Sequence, residues 1–464
     1  MNRLFCKLAV LLLASGLALT VHADDSLPRR AVLGLRLARV PSTLANELEL
    51  MPDMGAVASE ILPDKSAANA GVREGDILLA LNGKAIAFGN IAAQANELRA
   101  GEKFTLTVSR EREQLELTGI AVEKSRDPGN NNYEVIYSHV MSNGQRMRTI
   151  ITRPRKEGKF PGFMFIQGFS PVSYDFVLEG SKGDVNSLNG PLLYEFANSD
   201  FVTIRVEKPG VGDSEGGPFA ELDYLTELDI YRQTLKQLKE REDVDTNNIF
   251  IFGHSMGGAF GPMIAAESQV RGIAVYGAAA RTWYEYLLDT LRYQGLVAGD
   301  SYENTDERVR AGSKVLAMVF LENKTIDEVL TSYPELAPLT QALFPNGMFN
   351  GKSLEFWRQL GRENMPAYWS RCKAHVLAVR GASDYVTYQV DHQLIADIVN
   401  RAKPGTGRSL TLPESDHLFF KHATEQASLQ SGQKGEYNLE FARLMKSWIK
   451  EVMDEKNTPA KDSR

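Results

Sequence analysis

Residues 248–260, which read NIFIFGHSMGGAF, hold a serine at the centre of a Gly-x-Ser-x-Gly motif. The apolar run before Gly253 is typical of a buried strand, and the residues after Gly257 are compatible with a helix. A turn tight enough to expose Ser255 between them crowds its neighbours, and glycines two residues before and after relieve that crowding. The stretch therefore predicts a nucleophilic serine at a strand end, facing the positive end of a helix.

Short apolar runs alternate with helical segments on both sides of this motif. Runs of the buried parallel-strand type are residues 163–166, 201–206, 249–252, 273–276, 376–379 and 410–412. The alternation predicts a mainly parallel sheet covered by helices on both faces. The connection 281–371 is too long for one crossover and holds three of the four tryptophans, so we expect a helical cap over the carboxyl edge of the sheet.

A serine hydroxyl needs a base to become a good nucleophile, and seven histidines are available. His417 stands in a turn directly after the last predicted strand. Asp384 follows the preceding strand and a glycine turn, a position from which its carboxylate would orient the imidazole of His417. The alternative role for Asp384 is to cap the amino terminus of the helix that follows. Asp416 is interpreted as a turn carboxylate.

The motif at Ser255 and the order Ser255, Asp384, His417 resemble the α/β-hydrolase superfamily over about residues 133–452. The resemblance implies a serine hydrolase of the esterase or serine aminopeptidase kind, with no metal and no cofactor. It also implies an oxyanion hole made by the backbone N–H groups of Met256 and Phe169. Relatives usually have His-Gly immediately before the latter, whereas this chain has Gln-Gly. The glycine-rich stretch 207–216 is interpreted as loop packing near the serine.

The amino-terminal part carries a second resemblance. Residues 67–79 (AANAGVREGDILL), together with VLGL at 32–35 and LNGK at 81–84, resemble a PDZ domain of the bacterial protease-associated type. The resemblance implies a small α+β domain over residues 30–123. It implies further that Leu33, Gly34 and Leu35 form a loop for a peptide carboxylate, beside which the peptide adds as a strand. A domain that only spaces or docks its neighbour is the alternative.

The composition and charge of the chain indicate where the protein is located and which partners are disfavoured. Basic residues precede an apolar run at 8–19, which predicts a signal peptide over residues 1–23 in preference to a retained membrane anchor. We therefore expect an exported protein, periplasmic in a Gram-negative source and otherwise secreted, with no membrane span in the mature chain. The polar stretch 124–132 is predicted to be a linker to a hydrolase domain at 133–453. The net charge of −7 disfavours nucleic-acid partners, and Cys372 would be the only cysteine left.

Three functions are compatible with these features. The first is a carboxylic ester hydrolase that acts through an acyl-enzyme on Ser255. The second is a peptidase or amidase with the same three residues, for which a PDZ-like domain makes a peptide substrate plausible. The third is a binding protein that recruits a partner through its PDZ groove and carries a degenerate hydrolase fold.

Overall fold

The computed structural model describes residues 27–175 and 189–455, which form two β-sheets with their helices. The predicted signal peptide, residues 1–23, lies outside the described residues. The first sheet has the order β1-β2-β3-β5-β6, with β4 paired to β3 and every pairing antiparallel. Its strands are β1 (Leu35–Ala38), β2 (Ala56–Ile61), β3 (Ile77–Leu81), β4 (Lys84–Ala85), β5 (Lys103–Arg110) and β6 (Glu113–Ile120), and its helices are α1 (Ser42–Glu47), α2 (Ser66–Asn69) and α3 (Ile91–Ala95).

This small sheet is built on the alternation of side chains along its strands. Phe104, Leu106 and Val108 on β5 point to the same face and are buried, whereas the residues between them are more exposed. They pack with Ala67 of α2 and Leu78 of β3 into one hydrophobic cluster. The first sheet therefore has a core of its own.

The second sheet has eight strands in the order β14-β13-β12-β11-β9-β10-β8-β7. Pairings from β14 to β10 are parallel, and those of β8 with β10 and β7 are antiparallel, so the predicted mainly parallel sheet is confirmed. Its strands are β7 (Tyr133–Ser142), β8 (Gln145–Pro154), β9 (Phe160–Ile166), β10 (Val202–Val206), β11 (Val244–His254), β12 (Gly272–Tyr276), β13 (His375–Gly381) and β14 (Gly407–Leu412).

Helices cover both faces of this sheet. Leu192 and Trp448 belong to the hydrophobic cluster on one face, and Tyr224, Phe260 and Ile395 belong to the cluster on the other. The helices are α4 (Gly190–Ala197), α5 (Tyr224–Lys239), α6 (Gly257–Glu267), α7 (Trp283–Ala298), α8 (Tyr302–Leu316), α9 (Ile326–Ser332), α10 (Ala337–Leu343), α11 (Leu354–Arg362), α12 (Met365–Arg371), α13 (Gln389–Ala402), α14 (Glu425–Ser431) and α15 (Glu440–Asp454). Helices α7 to α12 fall within the connection predicted to be a cap.

Buried ion pairs join the chain just before the first sheet to the loop after β10. The Arg29 guanidinium donates to Asp213 Oδ2 at 2.6 Å and lies 2.7 Å from Asp175 Oδ2. Arg148 of β8 donates to the same oxygen of Asp213 at 3.0 Å, and the Arg30 N–H donates to Asp213 Oδ1 at 2.8 Å. Burial by itself lowers the pKa of Arg29, but the two carboxylates raise it above its ordinary value. The two parts of the protein are therefore joined by charges that are withdrawn from water.

We predict that Arg29→Met lowers the free energy of unfolding by about 3–5 kcal/mol, because it leaves buried carboxylates short of a partner. Urea unfolding followed by tryptophan fluorescence measures the effect. Arg36→Met is the matched control, because the side chains of Arg36 and its partner Glu60 remain in contact with water, at 54% and 32% exposure, and a change of about 1 kcal/mol or less is expected. Equal losses in the two variants would contradict the prediction.

Candidate active site

Ser255 occupies the turn between β11 and α6, where its backbone has a φ of 54°. Its N–H donates to the Tyr276 carbonyl at 2.9 Å, which ties the turn to β12. A Cβ atom added at Gly253 would lie 2.4 Å from the Gly257 carbonyl oxygen, and one added at Gly257 would lie 2.2 Å from the Ile166 carbonyl oxygen. Both positions therefore exclude any side chain, as the motif predicts.

Three side chains from separate loops meet at this turn. His417 Nε2 lies 2.9 Å from Ser255 Oγ, and His417 Nδ1 lies 3.0 Å from Asp384 Oδ2. In this arrangement Nδ1–H donates to the carboxylate, which leaves Nε2 free to accept a proton from the serine. The structure thus brings together the three residues that the sequence singled out.

Asp384 is fully buried in the loop after β13. Its Oδ1 accepts the N–H groups of Val386 at 2.8 Å and Thr387 at 3.0 Å, and its Oδ2 accepts the Thr387 hydroxyl at 2.6 Å. Burial alone would raise the pKa of Asp384, but the facing His417 and these hydrogen bonds hold it well below its usual range. The N-cap of α13 is Tyr388, so Asp384 organises the loop before this helix without capping it.

Gly277, directly after β12, makes room for the imidazole. Its backbone has a φ of 63°, and a Cβ atom there would lie 2.7 Å from His417 Nδ1 and 3.2 Å from Asp384 Oδ2. Sequence analysis did not single out this glycine. Its position at the end of a buried strand next to the serine strand is the signal that was available.

His254, the neighbour of the serine, supports the loop that carries His417. Its Nε2 lies 2.8 Å from the His417 carbonyl oxygen, and its Nδ1 lies 3.3 Å from Asn189 Nδ2. Because a carbonyl only accepts and an amide nitrogen only donates, Nε2 carries the hydrogen, Nδ1 accepts from Asn189, and the ring is neutral. Burial, with a smaller effect of His417, lowers the pKa of His254 to about 3. No sequence pattern indicates this contact, because it joins residues far apart along the chain.

Asp416, beside His417, has a structural role that matches its interpretation as a turn carboxylate. It is fully buried, and its Oδ1 accepts the N–H groups of Leu418 at 2.9 Å and Phe420 at 2.8 Å. The Ser428 hydroxyl donates to its Oδ2 at 2.9 Å. These bonds shape the loop after β14, whereas the imidazole faces Asp384.

The loop after β9 approaches the serine closely. A Cβ atom at Gly168 would lie 3.3 Å from Ser255 Cβ, and Phe169 and Met256 line the same cavity as the serine. Within residues 27–175 and 189–455, neither the Phe169 N–H nor the Met256 N–H donates to another protein group. The Gln167 side chain donates to the Val206 carbonyl at 3.0 Å, so it binds β10 and leaves the two N–H groups unobstructed.

A cavity of about 200 Å³ opens beside Ser255 and extends under the cap. Four aromatic rings continue one another along it: Phe169 lies 5.1 Å from Trp357, Trp357 lies 4.8 Å from Trp283, and Trp283 lies 4.8 Å from Tyr286 between ring centroids. The cavity is lined by Phe169, Ser255, Met256, Ala259, Gly277, Ala279, Arg281, Trp283, Tyr286, Asn350, Trp357, Leu360, Glu363, Met365, Val386 and Thr387. A small organic molecule with an apolar part fits this space.

The predicted carboxylate loop of the first sheet lies at its edge strand. Gly34 has a φ of 74° and Leu35 begins β1, whose outer side faces no other strand of the described chain. The Leu33 carbonyl accepts the Ala67 N–H at 2.9 Å, and the Gly34 carbonyl accepts the Leu62 N–H at 2.9 Å.

In the described ranges no helix is long and apolar enough to cross a membrane.

We predict that the pH dependence of stability reports on His254. Its pKa in the native state lies below the usual 6.5, so the unfolded chain binds more protons and stability falls as the pH drops from about 6.5 towards 3. In His254→Gln, whose amide retains the donor, this slope becomes shallower by up to about 1.4 kcal/mol per pH unit. Urea unfolding across this range tests it. Above pH 7.5 the free energies of unfolding of the two proteins should change in parallel with pH. Equal slopes of the two stability curves at acidic pH would refute the assignment.

Comparisons with known proteins agree with both parts of the chain. A PDZ domain family model matches residues 57–110, and an alpha/beta hydrolase family model matches residues 165–429. The periplasmic serine endoprotease DegP of Escherichia coli is 36% identical over 88 residues, 19% of this chain and 19% of that protein. Esterase EstD of Thermotoga maritima is 26% identical over 163 residues, 33% of this chain and 36% of that protein.

Among solved structures, Est1E from Butyrivibrio proteoclasticus with bound ferulic acid matches at a TM-score of 0.43 and 15% identity, over 69% of this chain and 98% of that one. The chain spans about a fifth of the length of DegP and about a third of the length of EstD. The hydrolase family model covers more than half of the chain. This protein therefore belongs to the alpha/beta hydrolase family, and its residues 57–110 match a PDZ domain on the amino-terminal side.

Proposed function

We propose that this protein is an exported carboxylic ester hydrolase with Ser255 as its nucleophile. The observation that carries the proposal is the hydrogen-bonded series from Ser255 Oγ through His417 to the buried carboxylate of Asp384, at 2.9 and 3.0 Å. This series ends in a cavity whose wall is mainly apolar. An activated serine beside an apolar cavity is what acyl transfer from an ester requires.

The reaction follows from this geometry. Ser255 Oγ attacks the ester carbonyl carbon while His417 Nε2 takes its proton, and Asp384 stabilises the imidazolium that forms. The N–H groups of Phe169 and Met256 stabilise the negative charge that develops on the carbonyl oxygen. The carbon–oxygen bond to the alcohol then breaks, His417 protonates the departing alcohol, and an acyl-Ser255 remains. Water, deprotonated by His417, attacks this acyl group. The bond to Ser255 Oγ then breaks, His417 returns the proton to Oγ, and the acid is released.

The cavity supports a compact ester with an apolar or aromatic acyl group. Its volume of about 200 Å³ and its row of rings from Phe169 to Tyr286 favour flat or branched hydrocarbon. The similarity to esterase EstD supports an ester as the substrate. We therefore place the acyl part of the ester under the cap.

The remaining features of the proposal concern export and domains. The proposed organisation has four parts: a signal peptide at residues 1–23, a PDZ domain at 30–123, a linker at 124–132 and a hydrolase domain at 133–453. The similarity of the PDZ part to periplasmic endoproteases supports export, and a peptide carboxyl terminus is the proposed ligand of Leu33, Gly34 and Leu35. The same similarity favours a peptidase or amidase as the second candidate function.

Ser255→Ala is expected to lower kcat for a short aryl ester by about 10⁶-fold, and Asp384→Asn by about 10⁴-fold, because the imidazole loses its orienting partner. Initial rates and labelling by a fluorophosphonate probe measure both. Ser268→Ala, at the far end of α6, is the control and should keep wild-type rates and labelling. Hydrolysis that persists unchanged in Ser255→Ala would overturn the proposal and leave the PDZ-mediated binding protein as the better alternative.

The choice between ester and amide follows from matched substrates. We expect the protein to hydrolyse an acyl aryl ester at least about 10³-fold faster, in kcat/KM, than the anilide with the same acyl group. The readout is release of the aryl product under identical conditions. Comparable rates on the two substrates would favour the peptidase.

Trp283 is expected to limit the length of the acyl group. Together with Tyr286, Asn350 and Val386, it lines both the cavity beside Ser255 and a second cavity of about 630 Å³ between α7, α8 and α10. Trp283→Ala should therefore raise kcat/KM for dodecanoyl relative to butanoyl esters by about tenfold, since removing the ring joins the two spaces. Trp448→Phe, which changes a tryptophan on the opposite face of the sheet, is the control. An unchanged ratio of rates would contradict this role.

A further inference from the structure

Lys208 is a buried cation directly behind the loop that approaches Ser255. Its side chain is 1% exposed and follows β10, in the glycine-rich stretch that sequence analysis interpreted as loop packing. The ammonium donates to the Gly168 carbonyl at 2.6 Å and to the Phe169 carbonyl at 2.9 Å. Two successive carbonyls of the loop after β9 therefore converge on one charge.

The Gly168 carbonyl and the Phe169 N–H belong to the same peptide group. In a trans peptide these two point in opposite directions, so a cation that binds the carbonyl turns the N–H away from itself. Ser255 lies close to Gly168 and shares a cavity with Phe169. The contact with Lys208 therefore determines the direction in which the Phe169 N–H points.

The same contact acts electrostatically. Two neighbouring carbonyl oxygens directed at one point repel each other, and a positive charge between them offsets that repulsion. An ammonium bound to the oxygen of a peptide group also polarises the group, which makes its N–H a stronger donor. Both effects are large here because the site is withdrawn from water.

A buried carboxylate and a second lysine hold the ammonium in place. Glu227 of α5 lies 2.8 Å from Lys208 Nζ and 3.2 Å from the Nζ of Lys352, which lies on the cap side just before α11. All three side chains are almost completely buried. Burial alone would raise the pKa of Glu227, but the two lysines lower it below its ordinary value, so this carboxyl is ionised. Burial lowers the pKa of Lys208, and the facing carboxylate of Glu227 opposes that effect and favours the ammonium form.

We propose that Lys208 is a positioning residue for the oxyanion hole, which orients and polarises the Phe169 N–H towards the oxygen that becomes negative during acyl transfer. This inference rests on the proposed function, because it assumes that Ser255 forms a tetrahedral intermediate. The inference goes beyond the proposed function by assigning a role to a side chain that touches neither the substrate nor Ser255.

Lys208→Met is the test, because Lys352 still neutralises Glu227 in this variant. We expect kcat for a short aryl ester to fall about 10–100-fold, since misdirecting a donor should cost less than the roughly 10²–10³-fold lost when a donor is removed, with KM changed by less than about threefold. Affinity for a boronic acid that mimics the tetrahedral intermediate should fall by the same factor as kcat. Lys208→Gln, whose amide can donate to these carbonyls, should lose less than the methionine variant.

Lys352→Met is the matched control, because it removes the other cation of the cluster and leaves the two loop carbonyls bound. It should lose comparable stability yet keep kcat and boronate affinity within about threefold of wild type. If Lys208→Met does not fold, Lys208→Gln against Lys352→Met decides by the same readouts. Unchanged kcat and boronate affinity in the folded Lys208 variants, with activity that depends on Ser255, would overturn this inference alone. Hydrolysis independent of Ser255 would instead overturn the proposed function and this inference with it.

Discussion

The left-handed backbone at Ser255 is the constraint on which the rest of the site depends. A φ of 54° at a residue with a side chain persists only where the surrounding structure holds it, and here β12 binds its N–H while β9 and α6 approach it closely. Because the turn is so tight, a Cβ atom at Gly253 or Gly257 would lie only 2.4 or 2.2 Å from a carbonyl oxygen. The same tightness sets Ser255 Oγ at the strand end, within reach of His417.

Buried charged side chains are the second feature that holds the loops around the site in place. The stretch after β10 carries Asp213, which binds Arg29 and Arg30 just before the first sheet, and Lys208, which binds the loop beside Ser255. In the same stretch, Gly212 leaves space for the carboxylate of Glu207, which a Cβ atom would meet at 1.7 Å. One loop is therefore in contact with the amino-terminal segment on one side and with the candidate oxyanion loop on the other.

The buried residues around His417 have different roles because their hydrogen-bond partners differ. Asp384 and Asp416 are both buried carboxylates, but one faces the imidazole and the other accepts backbone N–H groups of its own loop. His254 lies next to Ser255 in the chain, yet burial keeps its ring neutral and its contact is with the His417 carbonyl. Proximity in sequence is thus a poor guide to which side chain meets the serine.

The sequence by itself determined the features that depend on local chemistry. Strand periodicity, the glycines about Ser255 and the order of Ser255, Asp384 and His417 were sufficient to predict the sheet, the turn and the three side chains that meet there. Tertiary structure alone decided the contacts of Gly277 and Lys208, because each depends on a segment distant in sequence whose approach leaves no local pattern. A glycine that admits an imidazole, or a lysine that binds two carbonyls, looks like any other until the fold brings its neighbour to it.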